Sequence, residues 1–284
     1  MIIAIIGASG FIGNRIHQTF SKNNSLNVIG TFFKDKLHPQ FIYLDVTSKD
    51  LIEHFLVEFN PNLIFWIAGS KNLNECEDDW EYAFKINSKP IKDYYEIKSK
   101  LKIESKLVFF STDYVFDGLH GNYKDTDLAN PKTNYGISNK IAEDTILNNC
   151  SSDLIIRTSA VMGKGGKFFD WLTKCLVNDK KVKIFKDIYF SPTPIQLLSE
   201  ATEYLIKKQV SGIVHICGEL RLSRYEFAEK LLHINKKFSA TVVPDSAFRN
   251  NLLFQRDLSL IQSKICKKFQ TKDFAKSIME ELSS

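Results

Sequence analysis

The opening thirteen residues, M-I-I-A-I-I-G-A-S-G-F-I-G, narrow the choice of fold more than any other stretch of the chain. A short apolar run is followed at once by three glycines at three-residue spacing, Gly7, Gly10 and Gly13. An apolar run of this length bounded by glycine reads as a strand, and the segment after it as a helix. A glycine turn between strand and helix lets the main chain approach a pyrophosphate, while the helix N-terminus offers N–H groups and the positive end of its dipole. The stretch therefore predicts dinucleotide binding, with Gly7, Ser9, Gly10, Phe11, Ile12 and Gly13 around the phosphates.

Further along, short apolar runs alternate with helix-length segments, at 2–6, 27–31, 41–44, 63–67, 107–110, 154–157 and 212–216. Strands separated by helices imply βαβ units, hence an α/β protein with a Rossmann-type, doubly wound parallel sheet. The alternation is regular up to about residue 160. Beyond it come Pro192, Pro194, a glycine loop at 163–167 and helical stretches near 195–208, 223–232 and 274–282. We read residues 1–160 as the dinucleotide-binding domain. Residues 161–284 read mainly as a smaller, more helical substrate-binding lobe against the carboxyl edge of the sheet, where such folds bind ligands. The boundary is soft, since some strands of the second part return to the sheet.

With 284 residues, 44% of them hydrophobic, the chain has enough apolar material for one large α/β domain and a smaller lobe. No apolar run approaches the roughly 20 residues of a membrane span, and the apolar start is too short for a signal sequence, so the expected compartment is the cytoplasm. Cys76, Cys150, Cys175, Cys217 and Cys266 are odd in number and lack metal-ligand spacing, so neither a disulfide framework nor a metal site is expected. A net charge of +5 suits an anionic small substrate and falls short of a nucleic-acid signature. The expected partner is a small molecule, with no nucleic acid and no membrane; a homodimer is compatible with this reading.

An NAD site calls for an acid at the end of the second strand, to hold the ribose 2′-hydroxyl. Here that position reads Gly30-Thr31-Phe32-Phe33-Lys34. A cation there favours the 2′-phosphate of NADP, so NADP(H) is the expected cofactor and NAD(H) the alternative; Lys34 as a solvated loop residue is the plainer reading. Asp45 and Val46, after the third run, are placed near the adenine, although Thr47 or Ser48 beside them also suits a helix cap.

The stretch that names a family lies further on. Trp66-Ile67-Ala68-Gly69 closes the fourth strand, Asn87 sits in the next long helix, and Ser111-Thr112-Asp113-Tyr114-Val115-Phe116-Asp117-Gly118 closes the fifth. The string S-T-D-Y-V-F-D-G resembles the extended short-chain reductases of the dTDP-4-dehydrorhamnose reductase type. Arg157-Thr158-Ser159, Ser191-Pro192-Thr193, 212–215 and Tyr225-Glu226-Phe227 extend the resemblance over most of the chain. It implies reduction of a 4-keto-6-deoxy nucleotide sugar by a nicotinamide cofactor. Thr112 would bind the substrate carbonyl and Tyr135 would donate the proton. Ala68, Gly69, Asn87, Tyr135 and the residue at 139 would meet the cofactor, and Thr112, Asp113, Val115 and Arg249 the substrate.

Within T-N-Y-G-I-S-N-K-I-A-E the sequence departs from that family. Tyr135 opens a Tyr-x-x-x-Lys pattern, but its fourth residue is Asn139 and the lysine stands at 140. On a helix, positions i and i+4 share a face, and Lys140 is turned roughly 100° away. A phenol with an ordinary pKa of about 10 is normally assisted by that lysine. At an effective dielectric of about 20, a cation about 4 Å away is worth up to about 4 kcal/mol. Losing it would cost on the order of 10²-fold in rate or more. Asn139 can bind the ribose but carries no charge. This keeps two rivals open: a silent binding protein resembling the regulatory subunit of methionine adenosyltransferase, and an epimerase or dehydratase of the same superfamily.

Asp117 and Gly118 are expected to shape a turn, Lys164 and Lys167 to be solvated, and Glu77 and Asp78 to be acids at a helix N-terminus.

Overall fold

The computed structural model describes residues 1–248, 255–269 and 274–283. The chain forms two compact units. The first comprises Met1–Val115, Ala129–Arg157 and Thr202–Val214, and the second Phe116–Leu128, Thr158–Ala201 and His215–Ser284.

A seven-stranded sheet dominates the first unit. Its strands are β1 (Ile2–Ile6), β2 (Asn27–Phe32), β3 (Ile42–Tyr43), β4 (Leu63–Trp66), β5 (Lys106–Thr112), β6 (Leu154–Thr158) and a returning strand, Gly212–Ile216. They lie in the order returning strand, β6, β5, β4, β1, β2, β3. The pairings β1 with β2, β1 with β4, β2 with β3 and β4 with β5 are parallel. β4 and β6 are buried along their whole length, and β1 from Ile3 onward. That is why β1 and β4 read as unbroken apolar runs rather than alternating ones, and β6 opens as one before Arg157 and Thr158: helices cover both faces of such a sheet. Chain order reverses between β1 and β4, which opens a crevice at their carboxyl ends.

On one face, Ile52, Phe55 and Leu56 of helix α2 (Lys49–Phe59) and Ile91, Tyr94, Tyr95 and Ile97 of helix Lys89–Leu101 join Ile64 and Trp66 of β4 in a single core. Helix Asn134–Asn149 adds Ala142 and Ile146 to it.

The second unit has its own core, in which Phe169 and Leu172 of helix Lys167–Asn178 meet Phe227 and Leu231 of helix Arg224–Ile234. Ser223 and Glu226 form a complete capping box at the start of the latter helix. Strands Lys181–Phe185 and Thr241–Asp245 pair in parallel, and Tyr189–Phe190 pairs antiparallel with Leu222–Ser223. Helices Ile195–Lys207, Arg224–Ile234 and Phe274–Ser283 stand where the sequence expects them and Lys167–Asn178 is an additional one, while the ribbons are too short or too charged to stand out as apolar runs.

Candidate active site

Gly7 adopts φ +91° directly after β1, and a Cβ there would lie 2.8 Å from the Ala68 nitrogen. Glycine meets both demands at once. A Cβ on Gly13 would lie 2.1 Å from the Gly7 carbonyl oxygen, so Gly13 lets helix α1 (Phe11–Ser21) sit against the turn. Thr31 of β2, almost fully buried, fixes the loop: its hydroxyl accepts from the Gly7 N–H at 2.9 Å and its carbonyl from Ser9 N–H at 3.2 Å. Gly10 is the N-cap of α1 and no side chain caps that end. The first N–H groups of the helix, on Phe11, Ile12 and Gly13, are therefore placed for an anion. Phe11 and Ile12 are half-buried. The arrangement fits the pyrophosphate of a dinucleotide.

Lys34 is exposed just beyond β2, next to exposed Phe33. Asp45 makes a local turn, its carboxylate accepting from the Thr47 N–H and hydroxyl, and Ser48 caps α2. Val46 is a core residue.

Across the crevice, the N–H groups of Ile67 and Ala68 both bond to the Ile6 carbonyl, which ties the end of β4 to β1. Asn87 lies in a π-helical turn, Phe84–Ser88, of the kind that re-aims side chains at functional sites. Its side-chain oxygen accepts from the Ser70 N–H at 2.9 Å, and its amide donates to the Ser138 hydroxyl at 3.2 Å. A Cβ on Gly69 would lie 2.8 Å from that oxygen. Asn87 thus clamps the loop after β4 to helix Asn134–Asn149.

Thr112 ends β5 and is buried. Its hydroxyl donates to the Asp113 carboxylate at 3.1 Å, accepts from the Tyr114 N–H at 3.2 Å, and hydrogen-bonds to the Tyr135 phenol. Tyr135 stands in the first turn of its helix, whose N-cap Thr133 accepts from the Gly136 N–H at 3.0 Å. A Cβ on Gly136 would come within 2.1 Å of the Tyr114 carbonyl oxygen; glycine at this position brings phenol and hydroxyl together. Burial pushes the phenol well above the usual tyrosine range, Asp113, Tyr114 and Cys76 add to the rise, and the Thr112 hydrogen bond opposes it. No cation is among these influences.

The reason lies in the same helix. Asn139, buried, donates its amide to the Tyr135 carbonyl at 2.9 Å, and Lys140 pairs with Asp144 one turn on. Below them Glu143 accepts two bonds from Arg157 of β6, at 2.9 and 2.6 Å, and one from the Ser111 hydroxyl. This buried pair pins the helix to β5 and β6.

The structure therefore brings together Gly7, Ser9, Gly10, Gly13, Ala68 and Gly69 at the β1 and β4 ends, and joins Thr112, Asp113, Tyr135 and Asn139 in one network. Val115 is fully buried in the short turn Asp113–Val115 and its side chain offers no surface. Arg249 lies outside the described residues. Glu77 and Asp78 end helix Leu73–Asp78 instead of starting it, and the N-capping acid is Asp79, which accepts from the Tyr82 N–H. Asp117 and Gly118 shape a turn: the Asp117 carboxylate accepts from the Leu119 N–H and Gly118 has φ +72°. Sequence reading missed Thr31, Gly136, Ser138 and the Glu143–Arg157 pair. A signal existed for Glu143, which is spaced four and eight residues from Asn139 and Tyr135 and so falls on their face.

A doubly wound parallel sheet, a glycine turn after its opening strand and a threonine–tyrosine pair at the end of its fifth strand define an NAD(P)-dependent oxidoreductase of the short-chain type. The chain belongs to the RmlD substrate binding domain family, which it matches over residues 1–277. A hypothetical dTDP-4-dehydrorhamnose reductase from Sulfolobus tokodaii superposes with a TM-score of 0.87 at 32% identity, over 98% of this chain and 99% of that one. The dTDP-4-dehydrorhamnose reductase of Bacillus anthracis, solved in complex with NADP, shares the fold at 21% identity with a TM-score of 0.86, over 99% and 98% of the two chains. The Aggregatibacter actinomycetemcomitans dTDP-4-dehydrorhamnose reductase is 28% identical over 80% of this chain and 76% of its own. Bovine methionine adenosyltransferase 2 subunit beta is 22% identical over 80% and 70%.

Proposed function

We propose that the chain is an NADPH-dependent reductase of a nucleotide-linked 4-keto-6-deoxy sugar. The observation that carries this reading is the hydrogen-bonded pair of Thr112 and Tyr135. A hydroxyl and a protonated phenol held together suit a carbonyl oxygen that must be gripped and then protonated. When bound, NADPH supplies the hydride that goes to C4 of the sugar. The glycine turn and the open end of α1 hold its pyrophosphate, and Lys34 faces its 2′-phosphate. Asn87 and Gly69 shape the nicotinamide side. Thr112 orients the substrate oxygen and Tyr135 gives it the phenolic proton. The high phenol pKa keeps that proton in place at neutral pH, so Tyr135 is protonated and available to donate, but as a weaker acid than it would be beside a cation.

In this reading Asp113 stands beside the sugar, the second unit and Arg249 take the nucleotide diphosphate, and the enzyme works as a cytoplasmic homodimer. A second reading, a cofactor-binding protein without turnover, is favoured by Asn139 alone. Purified protein tested for NADPH consumption against a panel of nucleotide-linked 4-keto sugars separates the two. Turnover of at least one supports the reductase; NADPH binding with no turnover of any supports the silent binder.

A further inference from the structure

The peptide bond between Tyr135 and Gly136 is held at both of its polar ends by side chains. Its N–H donates to the Thr133 hydroxyl at 3.0 Å. Its carbonyl, that of Tyr135, accepts from the Ser138 hydroxyl and from the Asn139 amide, each at 2.9 Å. A peptide unit is planar, so holding both ends sets the orientation of the plane and, through it, the direction in which the Tyr135 side chain leaves the main chain. There is little room to shift: a Cβ on Gly136 would lie 2.1 Å from the Tyr114 carbonyl oxygen.

Ser138 is fully buried, and two consecutive residues of the π-helical turn Phe84–Ser88 grip both of its polar groups. The Asn87 amide donates to the Ser138 hydroxyl at 3.2 Å, and the Ser88 hydroxyl donates to the Ser138 carbonyl at 2.7 Å. The Asn87 side-chain oxygen meanwhile accepts from the Ser70 N–H at 2.9 Å, in the loop after β4. Carbonyls only accept and N–H groups only donate, so the Ser138 proton goes to the Tyr135 carbonyl and the Ser138 oxygen receives the amide. One line of donors thus runs from Asn87 through Ser138 to the main chain of Tyr135.

We propose that Ser138 is a positioning residue for Tyr135: it fixes the peptide plane that aims the phenol, and Asn87 ties that plane to the loop after β4. The inference rests on the reductase reading, in which the phenol has to stand within hydrogen-bond reach of the substrate oxygen. Ser138 acts through the main chain and takes no part in proton transfer. Its loss should therefore misdirect the phenol and leave the Thr112 hydroxyl in place, which costs rate rather than binding.

Ser88→Ala supplies the control, because it removes an equally buried bond to the same residue that ends on the Ser138 carbonyl instead of the Tyr135 carbonyl. On an accepted substrate, Ser138→Ala should lower kcat about tenfold or more with KM changed less than about threefold. Ser88→Ala should lose comparable stability in urea yet keep kcat within about twofold. Threonine can bond the same carbonyl one turn back, so Ser138→Thr should recover most of kcat. A second readout needs no substrate. In protein carrying isotope-labelled tyrosine, the ring signal of Tyr135, identified by its loss in Tyr135→Phe, should move or split in Ser138→Ala and stay in place in Ser88→Ala. A native ring signal and native kcat in Ser138→Ala overturn the proposal, as does a Ser88→Ala variant that loses as much kcat. If Ser138→Ala does not fold, Asn87→Asp carries the same expectation: it still accepts from Ser70 and draws the Ser138 proton away from the Tyr135 carbonyl. If native protein turns over no sugar, the reductase reading fails while the ring signals still decide whether Ser138 positions Tyr135.

Discussion

Asn139 donates its side-chain amide to the main-chain carbonyl of Tyr135, 2.9 Å away and one turn back along the same helix. The residue at the lysine position thus spends its donor on the backbone of the helix it sits in. Lys140 points elsewhere and is held by Asp144. The phenol is left half-buried and desolvated with no cation among the described groups that shift it, and its reactivity follows from that.

Asn139→Lys should place an ammonium on the Tyr135 face and raise kcat near neutral pH. Lys140→Ala should leave kcat within about twofold, since Lys140 is held by Asp144 and does not act on the phenol, and a half-buried i,i+4 pair of this kind contributes only about 0.3–0.5 kcal/mol to stability. Tyr135→Phe should nearly abolish turnover. Steady-state rates of the three variants on one substrate check all of this, and a dead Lys140→Ala enzyme would show that Lys140 serves the phenol after all.

The pH profile should carry the same signature. A donor whose pKa is raised stays protonated through neutral pH and is lost only as pH climbs through the raised value. Reduction should therefore hold level from neutral pH to about pH 10, the ordinary tyrosine value, before declining. In Asn139→Lys the decline should begin at lower pH. A native profile that already falls near neutral pH would contradict the buried-phenol account.

The glycines of the phosphate turn should differ in kind. At Gly13 an added Cβ meets the Gly7 carbonyl carbon at 2.8 Å as well as its oxygen at 2.1 Å, so Gly13→Ala should lower the melting temperature as well as cofactor affinity. At Gly10 the tightest contact is 3.3 Å, so Gly10→Ala should fold normally, whereas Gly10→Val should fold and fail to bind NADPH. Circular dichroism and calorimetric titration distinguish the two behaviours.

Cofactor choice is expected to follow Lys34. NADPH should bind at least about tenfold more tightly than NADH, about 1.4 kcal/mol, and Lys34→Glu should erase the difference. Equal affinities in the native protein would remove Lys34 from the site.

Arg157→Ala should be strongly destabilising, by about 3–5 kcal/mol, because it strands the buried carboxylate of Glu143. Urea unfolding reads the loss directly. A change under about 1 kcal/mol would mean the pair is not buried in solution.

The strands and glycines of the first unit were legible in the sequence because each is fixed by local chemistry: a buried parallel strand is apolar except where, as at Arg157, a buried partner satisfies the polar group, and a turn at φ +91° under a neighbouring main chain must be glycine. Thr112 and Tyr135 were legible through the strings S-T-D-Y-V-F-D-G and T-N-Y-G-I-S-N-K, whose resemblance to the reductase family marks both positions. How the side chains are engaged was not. Nothing in the string Y-G-I-S-N-K announces that Asn139 turns to the Tyr135 carbonyl and Ser138 to the same oxygen at 2.9 Å. Those choices depend on Asn87, some fifty residues earlier, and on how closely Gly136 packs below Tyr114. The ribbons of the second unit escaped notice because Lys181–Phe185 alternates exposed lysines with buried Val182 and Ile184 over only five residues.

The strand that completes the large sheet is the last of it to be synthesised. Gly212–Ile216 lies beside β6, its first N–H bonding to the Asp153 carbonyl at 2.8 Å, yet everything from Ser159 to Ser211 must leave the ribosome first. During that interval β6, whose side chains are all buried in the finished molecule, is an uncovered edge of an apolar sheet. Such an edge is a template for pairing with another chain. The nascent protein is therefore most exposed to misassembly late in translation, and a chain stopped just before Gly212 would keep every glycine and hydroxyl of the site while holding its most adhesive strand open to solvent.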